Sequence, residues 1–570
     1  MVLEQLTKQY EALALDCRNE GTRKELAVDA AFWLSVVETL RTNMKALQVN
    51  IVAQGAAKAA TAVKDGADDA GEDDDGLSFS FHVEKSKANA ISDGSELTPT
   101  DLKVADAAQA TLHMNAATSA FRLLRNACAA CQPSQDACRK TGLLRLAHQF
   151  VIQCCTWVDV PDEQLQSTVV LMCQIALQFL VNGVTGNLNN QAHVWELFFP
   201  DDFQKILVEC HSHRKIVAFT GALVLNCING DLADPDVTTR RTDLVCARNL
   251  VITLLQRCLT KPASSVSPLV ELSADEDPAF EWICLVFRTL FQAGFARDLY
   301  NAVGAHMLSQ LWSRVTPEQL ILLRMFNMWM TAGRHRDIES GSALSSTPAT
   351  QAHPSKTTPA LLEFTKSTWV FVVSTDQEDR PDEADEARKA VWMVLEDEAK
   401  ILLLEVLGEL TLQPQLVRHE NACNGLLGSL LSELQRVWAA RRHHNATNAP
   451  SATPTTDGPA EPFGYRSAMI RVVGNLCYRH KKHQDLVRED GFLPLLLNLC
   501  NIDETNPMIR EWALVALRNV CEGNEANQAY ISALRPQGVD TANAQVDLER
   551  AGVDVQLDEH GKVHVSKRGQ

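Results

Sequence analysis

Two stretches of this chain, 44 residues apart, carry the same helix followed by the same corner. A unit of that kind cannot bury its apolar face alone, so it folds by stacking on copies of itself. Met469, Val472, Val473 and Leu476 stand at i, i+3, i+4 and i+7, and Ala513, Ala516, Leu517 and Val520 repeat that spacing, so each set lines one face of a helix. Asn475 and Asn519 each lie six residues after the start of their set. At about 100° per residue this puts each amide on the shoulder of its stripe. Gln484 and Gln528 follow nine residues further on, across the turn-like YRHKK and EGNEAN. The period falls within the about 40–47 residues of armadillo and HEAT-type units.

Two further copies stand upstream. Ala120, Leu123, Leu124 and Ala127 carry Asn126 with Gln135 nine residues beyond, and Ala176, Phe179, Leu180 and Gly183 carry Asn182 with Gln191 at the same distance. Asn226 lies 44 residues after Asn182 but has no glutamine at the set distance, which marks a degenerate unit. Gln135 leads to Gly142 as Gln484 leads to Gly491, seven residues on in both. Each glycine closes a short helix in a backbone open to positive φ before an apolar run begins the next.

A chain of 570 residues exceeds one compact core, and a 46% hydrophobic content suffices for a folded solenoid. The net charge of −18 argues against nucleic acid as a partner, because phosphate binding rests on Lys and Arg. The acidic runs at Asp65–Asp75 and Asp376–Arg388 read as solvated loops. The N-terminus lacks the basic, apolar, small-residue order of a signal peptide. The apolar stretch Val169–Val181, interrupted by Gln174 and Gln178, falls short of the about 20 residues that cross a bilayer, so no membrane insertion is expected. Sixteen cysteines, most of them in helical stripes, fit reduced thiols packed as small apolar groups in the cytoplasm.

The chain divides into N-terminal capping helices over 1–52, an acidic low-complexity and disordered insertion over 53–100, and armadillo-like repeats over 101–333. A Ser, Thr and Pro-rich linker over 334–360 leads to a helical segment over 361–440, helical in its second half, and a second linker over 441–462 precedes the closing repeats over 463–534. Two helices are expected before residue 50, the second carrying Val28, Ala31, Phe32 and Val36 on one face. The tail over 535–570 contains VDVQLDEHGKVHV, whose alternation around DEHG predicts a short β-hairpin. The fold class is therefore all-α, an armadillo-like helical solenoid with disordered insertions and a C-terminal hairpin.

The stretch IRVVGNLCYRHKKHQDLVREDGFLPLLLNLCNIDETNP, followed by EWALVALRNVCEGNEANQ and the hairpin tail, resembles the C-terminal domain of the ataxin-10 family over about 100 residues. FRLLRNACAACQPSQ and LQFLVNGVTGN with NNQAHVWELFFPDDF resemble that family's N-terminal half more loosely. The resemblance implies an armadillo-like solenoid without enzymatic activity. It also implies roles in cytokinesis and in signalling through protein partners, with midbody or basal-body association in animal members. The acidic insertion and the Ser, Thr and Pro linkers depart from the family pattern.

The candidate partner-binding residues are Asn126, Asn182, Asn475 and Asn519, with Arg125, Arg479, Arg518, Tyr478 and Trp512 as neighbouring charge and flat apolar area. Two roles are open to each asparagine. It satisfies a neighbouring helix end, or it faces a groove and hydrogen-bonds an extended bound segment. Cys128 and Cys131 with Cys138 and the pair Cys154–Cys155 invite a zinc reading. Against it, Cys128 sits two residues past Asn126 as Cys477 and Cys521 sit past theirs, so it fills a repeat position. No phosphate loop, HExxH or GxSxG motif is present. The expectation is a non-enzymatic adaptor with no catalytic residue, metal or cofactor, whose partners are other proteins, a second copy of the chain included. A nuclear-transport or GTPase-regulating repeat protein is the first alternative, and a metal-handling or Cys-dependent enzyme the second.

Overall fold

The computed structural model describes residues 2–53, 102–104, 106–258, 277–304, 314–331, 358–374, 386–418, 423, 425–447, 461–501, 503, 505–534, 552–557 and 563–567. They fall into two compact units, one of Met1–Cys258 with Ala274–Val286 and one of Leu259–Ser273 with Phe287–Gln570. The first acidic run, residues 376–385 of the second and most of the proposed insertion and first linker lie outside the described residues, while Glu386–Arg388 of the second run begin a helix instead of a loop.

The first unit opens with α1 (Val2–Asp16), α2 (Glu20–Val28) and α3 (Ala30–Asn50), three helices where the sequence suggested two. The extra break is made by caps: Asn19 accepts from Gly21 N and Asp29 from Phe32 N, each a side chain competing for the backbone. The buried stripe of α3 is Trp33, Val36, Val37, Leu40, Met44 and Leu47, whereas Val28 and Ala31 are exposed, so the buried face shares Val36 with the expected one but is turned from it by roughly a third of a turn. Strand β1 (Ile51–Ala53) pairs antiparallel with β2 (Leu102–Val104). Then follow α4 (Ala107–Cys128), α5 (Gln132–Lys140), α6 (Leu143–Trp157), α7 (Glu163–Val184), α8 (Leu188–Phe198), α9 (Asp201–Glu209), α10 (Arg214–Ile228), α11 (Pro235–Cys246) and α12 (Arg248–Gln256).

From α5 to α10 the order is a short helix, a second helix and a long third helix, which is an armadillo-like unit. The long helices pack in sequence, α1 on α4, α4 on α7 and α7 on α10. Their stripes are sealed: Ala120, Leu123, Leu124, Ala127, Ala176, Phe179 and Leu180 have no accessible surface. Phe121 meets Phe150 edge-on and Phe179 face-on, locking α4, α6 and α7 together. Helix α7 is 22 residues long and by length and composition could cross a membrane. Gln174 and Gln178 interrupt its apolar run but not the helix. Its apolar residues are instead taken up by α4, α6 and α10.

Helix α13 (Pro278–Gln292) is followed in the second unit by α14 (Ala296–Gly304), α15 (Pro317–Thr331), α16 (Pro359–Val373), α17 (Glu386–Leu410), α18 (Pro414–Val417), α19 (Leu426–Thr447), α20 (Tyr465–Cys477), α21 (Lys481–Glu489), α22 (Leu493–Asn498), α23 (Ile509–Cys521) and α24 (Glu525–Ala533). Helix starts at Pro317 and Pro359 use proline where its missing N–H is harmless. The first half of the 361–440 segment is helical too: α16 buries Leu361, Leu362, Phe364 and Trp369 despite its β-branched TWVFVV run. Helix α19 continues to Thr447, into the stretch assigned to a linker. Strands β3 (Val553–Leu557) and β4 (Val563–Lys567) form the expected hairpin, with Val555 opposite Val565. Both units are thus all-α repeat stacks, and the second ends in that hairpin.

Candidate functional site

The asparagines and glutamines picked out by spacing are the fasteners of the stack. In the first unit Asn126 Nδ2 donates to Ala14 O of α1 at 2.7 Å, Asn182 Nδ2 to Arg125 O of α4 at 3.0 Å, and Asn226 Nδ2 to Val181 O of α7 at 3.5 Å. In the second, Asn475 Nδ2 donates to Gly408 O of α17 at 3.1 Å and Asn519 Nδ2 to Gly474 O of α20 at 2.9 Å. Each long helix is pinned to the long helix before it. Asn182, Asn226 and Asn519 reach the same carbonyl, or its near equivalent, one residue before the preceding unit's own asparagine. Gly474 permits a close approach of α20 and α23, since a Cβ there would lie 3.2 Å from the Cα of Ala516.

Of the two roles open from sequence, these contacts are those of the first, with the amide hydrogens turned into the stack. Asn519 is buried, and Asn126, Asn182, Asn226 and Asn475 are half-buried.

The glutamines fasten in the opposite direction. Gln135 Nε2 donates to Cys128 O of its own unit and to Asn182 O and Thr185 O of the next, at 3.2, 2.9 and 3.1 Å. Gln484 Nε2 does the same with Cys477 O, Asn519 O and Glu522 O, at 3.2, 2.8 and 3.1 Å. One buried amide thereby satisfies carbonyls at two helix C-termini, groups that a helix cannot satisfy internally.

Around each glutamine stand residues that the spacing analysis missed. Asn190 Nδ2 donates to Gln135 O and Gly183 O, as Asn527 Nδ2 does to Gln484 O and Val520 O. Asn187 and Asn524 cap α8 and α24 and donate to Asp136 and Asp485, while Arg139 and Arg488 donate to Asn190 and Asn527. Two repeated motifs carried the signal, Q-D-x-x-R at Gln135 and Gln484 and N-x-x-N-Q at Asn187 and Asn524.

In the degenerate unit buried arginines replace the missing glutamine. Arg240 Nε donates to Cys227 O at 2.6 Å and its Nη2 to Gln191 Oε1, and Arg241 donates to Ile228 O and Gly230 O. A cation at the C-terminus of α10 also suits the helix dipole.

The four corners that carry both asparagine and glutamine turn through a left-handed residue four places past the asparagine: Ala130, Gly186, Arg479 and Gly523, with φ of 49°, 72°, 51° and 67°. Gly142 and Gly491, at φ 80° and 72°, close the following short helices as expected.

The remaining candidates separate by position. Tyr478 and Arg479 stand exposed at the corner after α20, the guanidinium 5.2 Å over the phenol ring and 3.6 Å from Glu522. Arg518 is exposed on α23. Trp512 is half-buried beneath Arg471, 5.6 Å from its guanidinium. Arg125, half-buried in the first unit, donates to Gln178 and to its neighbour Asn126 at 3.0 Å, and burial lowers its pKa. His480 and His483 are stacked at 3.8 Å, and burial holds both below the ordinary imidazole value.

Cys128 and Cys138 bring their sulfurs to 3.5 Å inside the core, where burial first and Cys128 second raise the Cys138 thiol well above its ordinary value. Cys131 bonds Ser134, and Cys154 and Cys155 lie in a different helix. Among the described residues no group of three or more His, Cys, Asp or Glu is placed to hold a metal.

Residues 465–566 match the family model described as the spinocerebellar ataxia type 10 protein domain, which covers α20 to α24 and the hairpin. The chain is 27% identical to ataxin-10 of Xenopus tropicalis over 430 residues, covering 75% of this chain and 76% of that one. Identity to ataxin-10 of Homo sapiens is 26% over 448 residues, covering 77% and 79%. The ataxin-10 homolog of Dictyostelium discoideum matches more strongly but more locally, 39% over 100 residues, or 18% of this chain and 16% of that one. Residues 465–566 thus match the ataxin-10 family's domain, the chain resembles ataxin-10 proteins over about three quarters of its length, and that likeness supports a protein-interaction role.

Proposed function

We propose that the protein is a non-enzymatic adaptor of cell division, acting in cytokinesis and its associated signalling, that binds an extended or helical partner segment along the long helices of its C-terminal repeats. The observation that carries this is the corner after α20. There a left-handed Arg479 holds Tyr478 and its own guanidinium out as an exposed, stacked pair, next to the long helix that bears Arg518. Aromatic and arginine side chains of this kind anchor partners in interfaces. The asparagines act indirectly, by keeping α20 and α23 in register. The working place is the cytoplasm, with association at the midbody or basal body, and the cysteines serve as packing groups.

The test is a pull-down with mass spectrometry from dividing cells, comparing the wild-type chain with the Tyr478→Ala/Arg518→Glu double variant after circular dichroism shows equal helix content. Division-machinery proteins held by the wild type and lost from the variant are the expected result. Retention of the same proteins by the variant, or their absence from both, overturns the reading.

A further inference from the structure

The last repeat displays a stacking face like the one its predecessor buries. With the 44-residue period, Leu514, Leu517, Cys521 and Ile531 correspond to Ile470, Val473, Cys477 and Val487, all four of which have no accessible surface because α23 and α24 lie on them. At the end of the stack Leu514 is 51% exposed, Leu517, Cys521 and Ile531 are half-buried, and Val515, Tyr530 and Leu534 add further exposed apolar area. Gln528, whose counterpart Gln484 is buried on three carbonyls, is exposed and bonds Cys521 O.

A second apolar face in the same family domain is also uncovered. In the register of β3 and β4, Val553, Val555 and Val565 share one side of the hairpin, with Lys567 at its margin, and Val565 is 64% exposed. Two strands alone are marginal in water and need a surface to pack against.

We propose that the C-terminal hairpin docks by its valine face on α23 and α24, as the cap of the repeat stack. The sizes agree. A five-residue strand is about 17 Å long and the thirteen-residue α23 about 20 Å. Seventeen residues separate Leu534 from Gly552, a contour of about 60 Å at most, so the face is within reach of its own hairpin. Attachment through so short a connection gives an effective concentration on the order of millimolar, ahead of any free competitor. The family domain runs unbroken from Tyr465 through the hairpin, which makes the two faces parts of one unit. Arg518, one turn after Leu514 on α23, borders the docked face, and the readouts below test the cap without calling on the partner site proposed at Tyr478 and Arg518.

Three native cysteines report on the docking: Cys521 on the face, Cys246 exposed elsewhere and Cys477 buried. Thiol labelling of the full chain is followed by mass spectrometry in the wild type, in Val555→Asp/Val565→Asp and in Leu514→Asp, over a hundredfold range of protein concentration. At least a tenfold faster labelling of Cys521 in both variants, at every concentration and with Cys246 and Cys477 unchanged, is the expected result. Leu514→Asp also speeds hydrogen exchange at residues 553–567. Equal Cys521 rates in all three proteins overturn the proposal. So does protection of Cys521 that disappears on dilution, which assigns the face to a second copy. Should the hairpin variant alter Cys477 labelling, Leu514→Asp, a change at an exposed position, decides by the same two readouts.

Discussion

The corner built from residues 126–142 and 182–191 and the corner built from 475–491 and 519–528 lie in different units, yet the bonds of their glutamines correspond one for one. Glutamine to three carbonyls, asparagine to two, cap to aspartate and arginine to asparagine recur with distances that agree within a few tenths of an ångström. The surroundings differ. Where the second corner has Arg466, the first has Ala117. Where the second has His480 and His483, the first has Cys131 and Ser134. The polar network is therefore the common element, because buried carbonyls at a helix end admit few solutions, while the side chains around it vary with what each unit packs against.

The largest difference is at Arg466. This guanidinium is 2% exposed and bonds Glu461 at 2.6–3.0 Å and Asp503 at 2.7 Å, tying the start of α20 to the loop before α23. Removing one member of a buried ionic group leaves charges without compensation, so Arg466→Ala should destabilise the C-terminal repeats by about 3–5 kcal/mol. Hydrogen exchange within 465–533 reads the loss. Exchange in α4 to α7, where Ala117 is already uncharged and fully buried, stays as it was. A loss under about 1 kcal/mol would mean that the triad is replaceable by simple packing.

The next effect tests the likeness itself. Gln135→Ala and Gln484→Ala each withdraw three hydrogen bonds from helix-end carbonyls, and each should destabilise its own unit by about 1–3 kcal/mol. Denaturant titrations followed by exchange in the two units should give matching values. A twofold disagreement breaks the equivalence of the corners, whatever their geometry.

How much of this was legible follows from the same residues. The stripes and the asparagine–glutamine offset could be seen because a helix fixes what lies six residues on and a corner of set geometry fixes what lies nine further. The hairpin was legible from alternation. The N-x-x-N-Q and Q-D-x-x-R motifs were equally periodic, but polar residues in apparent turns read as solvated when in fact they are enclosed by the next repeat. Arg240 and Arg241 could not be found by period, since they reach α10 from a different place in the chain. The face of α3 was misjudged because a cap at Asp29, one side chain, resets the phase of the helix that follows.

The smallest effect lies in the backbone of the corners. Gly186 and Gly523 hold the left-handed position without strain, whereas Ala130 and Arg479 hold it at φ 49° and 51° with a Cβ pressed toward the following carbonyl. That conformation costs an L residue about 1–2 kcal/mol, and glycine's greater freedom in the unfolded chain returns roughly 0.5–1 kcal/mol of the difference. Ala130→Gly should therefore stabilise the first unit by about 0.5–1 kcal/mol, measured as a higher denaturation midpoint at unchanged slope. Arg479→Gly should gain less, because it also removes the stack on Tyr478 and the exposed pair with Glu522, contacts of a few tenths of a kcal/mol at such a surface. If Arg479→Gly gains as much as Ala130→Gly and leaves partner capture intact, the exposed pair contributes neither to the fold nor to recognition, and the partner face must lie elsewhere on α20 and α23.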